Sequence, residues 1–311
     1  MNSARILVIG AGVNGSVCAA ALQDAGIDVT IMARGQRFDE LRVQGIVIED
    51  PFKQSRSVTR MLVIDRLEPI DIYDYVLVVV RKNQVADLLP TLAANQSPNI
   101  VFMGNNLAGP GEMIAALGRE RVMMGSVYAA GKRDGNVIRA MTIRSVASPF
   151  GEIDGAITPR LKRLAGILRR AGLRVKLSTD IIDTQANHAA GVALIGALTM
   201  RHGGDVRALA RATDDLRLFA AARREAHRAL RARGQRVVPW SEAAMDAVPA
   251  FLQVAGMRAL LNSKYGEVGL AWHVSQAPDE MRCLMAELQA LVDQAGLPAP
   301  AIRKVLAQAP G

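Results

Sequence analysis

Three groups of residues in this chain have types and spacing suited to chemistry. The first is Gly10-Ala11-Gly12-Val13-Asn14-Gly15, with glycines in a GxGxxG pattern. It follows the apolar, β-branched run Arg5–Ile9 and opens into Ser16–Ala25, whose alanines and leucine suit a helix. A strand, a glycine turn and a helix N-terminus in that order hold the pyrophosphate of a dinucleotide. Gly10 permits the tight turn, Gly12 lets the backbone approach the phosphates, and Gly15 lets the helix lie against the strand. The helix N-terminus adds free N–H donors and the positive end of its dipole.

The second group is Arg81, Gln84 and Asn105, which stand just past the apolar runs Tyr75–Val80 and Asn99–Met103. Ligands of open α/β sheets bind beyond the carboxyl ends of the strands. For each of the three, a loop residue that caps a helix is the competing reading. The third group lies in the second half of the chain. His188 sits in an otherwise apolar helix, as a general acid or as a core histidine with one ring nitrogen bonded. Lys264 and His273 are rival acids. Lys264 also suits a solvated helix face, and Trp272-His273 also suits a half-buried helix end. Glu280 opens a helix, where a carboxylate also suits the dipole.

The elements that position these residues follow from pattern. Asp28–Ala33 reads as a second strand, ending in Arg34-Gly35-Gln36-Arg37 with no carboxylate before Asp39. An acidic residue there binds the ribose 2′-hydroxyl of NAD, whereas a guanidinium suits a 2′-phosphate; Arg34 therefore points to NADP(H). Gln44–Glu49 and Ser57–Ile64 read as short strands, followed by a helix over Val85–Ala94. Val122–Ala129, Val137–Ile143 and Ser145–Ser148 suggest antiparallel strands at the sheet edge, around a turn at Gly131–Gly135. A helix over Pro159–Ala171 and a last strand, Leu173–Leu177, complete the α/β part. Beyond Ser178-Thr179-Asp180 strand patterning fades, and helices are expected over Ile181–Met200, Asp214–Arg233, Ser241–Val248, Ala250–Leu261 and Pro278–Ala295, with a short final helix to Gln308. The expected division is residues 1–178, a Rossmann-type dinucleotide-binding domain, and residues 179–311, an all-α substrate domain, with the active site between them.

Bulk properties narrow the classes. Half of the 311 residues are hydrophobic, enough for a substantial core. The net charge of +9 is spread over scattered arginines with only 4% aromatics, which speaks against nucleic acid and for anionic small ligands. Cys18 and Cys283 are too few for a disulfide framework, and the four histidines have no metal-ligand spacing. The apolar stretch Ala189–Met200 is shorter than the roughly 20 residues of a membrane span, and no signal-peptide pattern opens the chain. A soluble cytoplasmic protein is expected, without nucleic-acid or membrane partners. The apolar helical faces allow a homodimer without specifying one.

Taken together, Gly10–Gly15, Arg34, Arg81-Lys82-Asn83-Gln84-Val85, Asn105, the segment Met124-Gly125-Ser126…Arg133-Asp134-Gly135-Asn136-Val137, and Glu280 before Gly296 and Pro300 resemble the ketopantoate reductase (2-dehydropantoate 2-reductase) family. The resemblance implies a C-terminal domain like that of 6-phosphogluconate dehydrogenase and an NADPH-dependent reduction of a 2-oxo acid. It also implies that Gly10–Gly15, Arg34, Arg81, Gln84, Asn105, Gly131 and Glu280 contact the cofactor, with Asn105 and Glu280 at the reacting end. His188 stands where the family has its acid lysine. Val192 and Gly196 stand where it has substrate-binding asparagines, and Arg81 and Asn106 replace a lysine and a glycine. Ser263 matches the substrate serine across a gap. Lost hydrogen-bonding groups imply a more apolar substrate than ketopantoate. A true 2-dehydropantoate 2-reductase of pantothenate biosynthesis and a non-catalytic NADPH-binding sensor are the alternatives.

Overall fold

The structure is a computed structural model that describes residues 4–50, 52–126, 129–142, 147–264 and 266–309. The chain divides into two compact units, Met1–Gly104 with Pro110–Ile181, and Asn105–Gly109 with Ile182–Gly311.

The first unit runs β1 (Arg5–Ile9), α1 (Val13–Asp24), β2 (Asp28–Met32), α2 (Gln36–Gln44), β3 (Ile46–Asp50), β4 (Ser55–Thr59), β5 (Leu62–Ile64) and β6 (Tyr75–Val78). It continues with α3 (Val85–Ala94), β7 (Ile100–Phe102), α4 (Gly111–Leu117), β8 (Val122–Gly125), β9 (Ala129–Asp134), β10 (Val137–Thr142), β11 (Ser148–Glu152), α5 (Pro159–Arg170) and β12 (Val175–Leu177). Its main sheet has the order β12-β11-β8-β7-β6-β1-β2-β5. The six strands from β5 to β8 are parallel and take the doubly wound dinucleotide-binding order. β6 and β7 are buried throughout, as their unbroken apolar runs require of central parallel strands. Leu164, Ile167 and Leu168 of α5 pack in the same core as Ile6 and Val8 of β1 and Leu77 of β6.

The strands expected at the sheet edge are arranged differently. β9 and β10 leave the main sheet and form a second one, β4-β3-β10-β9, in which β10 runs parallel to β3. β8 lies in the main sheet parallel to β7, and only β11 pairs antiparallel there, against β8, with β12 outermost. The expected turn at Gly131–Gly135 is strand as far as Asp134. Residues 143–146, part of the expected Ser145–Ser148 strand, lie outside the described residues, and the strand present begins at Ser148. The expected strand over Ser57–Ile64 is divided between the two sheets as β4 and β5. Helices α2 and α4 lie where the sequence suggests none.

The second unit is helical: α6 (Ile181–Arg201), α7 (Val206–Arg211), α8 (Thr213–Ala232), α9 (Trp240–Met245), α10 (Ala250–Leu261), α11 (Trp272–Gln276), α12 (Pro278–Ala295) and α13 (Pro300–Ala307). A π-helical turn over Gly266–Ala271 precedes α11. Its core joins Leu194 and Leu198 of α6, Leu209 of α7, Leu230 of α8 and Ile302 of α13 to Leu284, Leu288 and Leu291 of α12. Three- and four-residue spacing of Met281, Leu284, Leu288, Leu291 and Val292 gives α12 one buried stripe. Pro278 fits its first turn, Asp279 and Glu280 complement its dipole, and left-handed Gly296 ends it.

Candidate active site

Each glycine of the first loop has a separate physical reason. Gly10 has φ +105, and a Cβ there would lie 2.3 Å from the Val79 carbonyl oxygen. A Cβ on Gly15 would lie 1.8 Å from the carbonyl oxygen of Gly10, so α1 could not rest on the turn. Gly12 differs. Its φ of −75 suits any residue, and a Cβ on it would meet nothing within 4 Å. Neither conformation nor packing calls for glycine there. Gly12 is also the N-cap of α1, with no side chain capping the helix. The N–H groups of its first turn suit an anion, so these residues fit a dinucleotide pyrophosphate.

The loop is braced from behind. Arg37, only 7% exposed, donates from Nε to the Ala11 carbonyl at 3.3 Å and from Nη2 to Ser16 Oγ at 3.4 Å. Its Nη1 reaches Glu40 and the Asn136 carbonyl, both at 3.1 Å. Burial, with a smaller effect from nearby Arg133, holds the Arg37 pKa below its ordinary value. Arg34 is exposed just beyond β2. Two other residues expected to contact the cofactor also have contacts within the fold: Asn14 Oδ1 accepts the Ala129 N–H at 3.1 Å, and a Cβ on Gly131 would lie 2.3 Å from the Arg139 carbonyl oxygen. Beyond β6, Gln84 Oε1 accepts the backbone N–H of Arg81 at 3.2 Å, so this oxygen caps the turn locally. Lys82 is buried and pairs with Glu112.

In the helical unit, Asn105 and Glu280 come together. Asn105 Nδ2 donates to Glu280 Oε1 at 3.1 Å, and Glu280 is 4% exposed in the first turn of α12. One α12 residue further along was not singled out by the sequence: Glu287 Oε2 accepts the backbone N–H groups of Leu107 at 3.0 Å and Ala108 at 3.1 Å. Asn106 Oδ1 accepts the Gly109 N–H at 3.0 Å, and its buried Nδ2 has no partner among the described residues.

On α6, His188 is exposed and Val192, one turn on, is half-buried on the same face. Asn187 is buried and donates to the carbonyls of Asp183 and Arg236 at 2.7 and 2.9 Å. Gly196 is buried, and a Cβ on it would lie 2.6 Å from Met281 Sδ, so close helix packing accounts for that glycine. Ser263 Oγ donates to the Leu260 carbonyl at 2.5 Å and accepts the Gly266 N–H at 3.2 Å, holding the turn after α10. Lys264 is exposed and Trp272 half-buried. Tyr265 and the side chain of His273 lie outside the described residues.

Other titratable groups have structural settings. His227 Nδ1 lies 2.8 Å from Asp246, and His202 Nε2 lies 2.8 Å from Asp215. Burial pushes the Cys18 thiol up to about 12, which leaves it a small apolar filler. Among the described residues, no three His, Cys, Asp or Glu side chains converge as a metal site would require. Nor, among the described residues, is any helix long and apolar enough to cross a membrane.

A parallel sheet of this order with a glycine loop at the head of α1, followed by a separate helical unit, is a dinucleotide-binding architecture with a helical C-terminal part. Residues 6–153 match the family model of ketopantoate reductase PanE/ApbA. The chain is 27% identical over 186 residues to the 2-dehydropantoate 2-reductase of Archaeoglobus fulgidus, an alignment that spans 58% of each protein. Among solved structures it is similar to 2-dehydropantoate 2-reductase from Geobacter metallireducens GS-15, with a TM-score of 0.79 and 16% identity over 98% of each chain. It is likewise similar to D-mandelate dehydrogenase bound to NADH and anilino(oxo)acetate, with a TM-score of 0.79 and 12% identity over 98% of this chain and 96% of that one. At these identities the structural likeness establishes the fold.

Proposed function

We propose that the protein is an NADPH-dependent reductase of a small 2-oxo acid with an apolar side chain. The observation that carries this reading is the hydrogen bond between Asn105 and Glu280, on the loop past β7 where the reacting end of a dinucleotide is handled in this architecture. The relationship to ketopantoate reductases supports the reaction class.

In this reading the glycine loop and the α1 N-terminus bind the pyrophosphate, and Arg34 binds the 2′-phosphate. A reduced nicotinamide, when bound, supplies the hydride. Asn105 and Glu280 orient the reacting groups through their paired carboxamide and carboxylate. His188, as imidazolium, gives a proton to the carbonyl oxygen as negative charge develops there. Val192, half-buried beside His188 on one face of α6, supports an apolar substrate side chain.

A panel of 2-oxo acids with hydroxylated, branched-alkyl and aryl side chains, followed by nicotinamide absorbance, tests this reading. NADPH oxidation with the alkyl or aryl members is expected. Preference for the hydroxylated member would make the protein a true ketopantoate reductase, and NADPH binding without any turnover would make it a sensor. Fluorescence titration tests the cofactor: NADPH should bind more tightly than NADH, and the reverse order would sink the role of Arg34.

A further inference from the structure

We infer that Glu287 is the positioning residue for Asn105. The inference rests on the proposed reading of Asn105 as an active-site group. Glu280 and Glu287 are two helical turns apart on α12, so their carboxylates stand on one side of the helix. They divide the 105–109 loop between them. Glu280 receives the Asn105 carboxamide at 3.1 Å, and Glu287 Oε2 receives the N–H groups of Leu107 and Ala108 at 3.0 and 3.1 Å.

Two successive N–H groups converging on one side-chain oxygen make a small nest. Leu107 is fully buried in the helical core, and Asn106 Oδ1 closes the loop onto the Gly109 N–H. The backbone is thus fixed two residues beyond Asn105, which sets where its carboxamide falls. Glu287 touches the loop and acts through it.

The test uses Glu287→Ala, Glu287→Gln, Asn105→Ala and the Glu287→Ala/Asn105→Ala pair in the full chain. Glutamine keeps an oxygen able to accept both N–H groups, so Glu287→Gln should stay near wild type. Glu287→Ala should speed hydrogen exchange across 104–110 without dinucleotide present, leaving exchange across 288–295 unchanged. With a turned-over 2-oxo acid its kcat should fall roughly ten- to a hundredfold, the cost of a misplaced group, with KM little changed. On the Asn105→Ala background the same change should cost nothing further. Unchanged exchange in Glu287→Ala, or a full loss repeated on that background, would overturn the inference. If Glu287→Ala does not fold, Glu287→Asp, one methylene shorter, takes its place. If no 2-oxo acid is reduced by wild type, the proposed function fails, and hydrogen exchange still decides whether Glu287 holds the loop.

Discussion

Asn105 and Glu280, 175 positions apart in sequence, are joined by a hydrogen bond of 3.1 Å. A buried carboxylate that receives a carboxamide is held in one orientation, as a group facing a reacting centre must be. Asn105→Ala leaves Glu280 buried without this donor. It should lower kcat per folded molecule about ten- to a hundredfold, alongside a stability loss of about 1–3 kcal/mol for the acceptor left behind, measured by steady-state kinetics below the unfolding transition and by thermal unfolding. An unchanged kcat per folded molecule would make the pair a purely structural bond.

Gly12→Ala separates ligand from fold. The new methyl group has open space and an ordinary backbone conformation. Stability in urea melts should stay within about 0.5 kcal/mol of wild type, as for a surface change. Dinucleotide affinity should fall at least tenfold, roughly 1.4 kcal/mol, by fluorescence titration. Unchanged affinity would remove the pyrophosphate from this turn.

Arg37→Ala should act on the same loop through stability. It leaves the Ala11 carbonyl and Glu40 without their guanidinium partner in a buried setting. A loss of about 2–4 kcal/mol is expected in urea unfolding. Arg37→Lys should recover little, because an ammonium cannot span Ala11, Ser16, Glu40 and Asn136 together. Full recovery by lysine would contradict the brace.

His227 makes stability depend on pH. Burial holds its pKa below the ordinary histidine value, and Asp246 opposes this only in part. The folded state therefore keeps a neutral ring, with Nδ1–H donating to Asp246, while the unfolded chain protonates more readily. The contribution is whole above the unfolded pKa of about 6.5 and is lost as pH falls through that region. The fall in unfolding free energy between about pH 7 and pH 5 should be shallower in His227→Gln than in wild type. An unchanged slope would assign the pH dependence to other groups.

The readable parts of the chain were those where local pattern and tertiary role agree. Ile6–Ile9 and Tyr75–Val78 are apolar because both faces are covered, and α12 begins at Pro278 and ends at Ala295, the limits its proline and glycine signals set. Helix α2 was hidden because Gln36–Gln44 buries only Arg37 and Leu41, too few for an apolar period. β4 and β5 read as one strand because Arg60 and Met61, which separate the two sheets, leave no turn signal. The site residues divide in the same way. Gly10–Gly15 carries its reason in its spacing, whereas Arg37 and Glu287 act on backbone groups that only the tertiary structure brings to them. Glu287 does leave one trace, its seven-residue spacing from Glu280 along the edge of the apolar stripe of α12.

Hydride transfer from a nicotinamide to the carbonyl carbon of a 2-oxo acid is tested most directly by isotope labelling. NADPH carrying deuterium at the transferable C4 position should give a 2-hydroxy acid with one deuterium at C2, seen by mass spectrometry. A 2-hydroxy acid without deuterium, or bound NADPH that stays reduced with every alkyl, aryl and hydroxylated 2-oxo acid, would contradict the account.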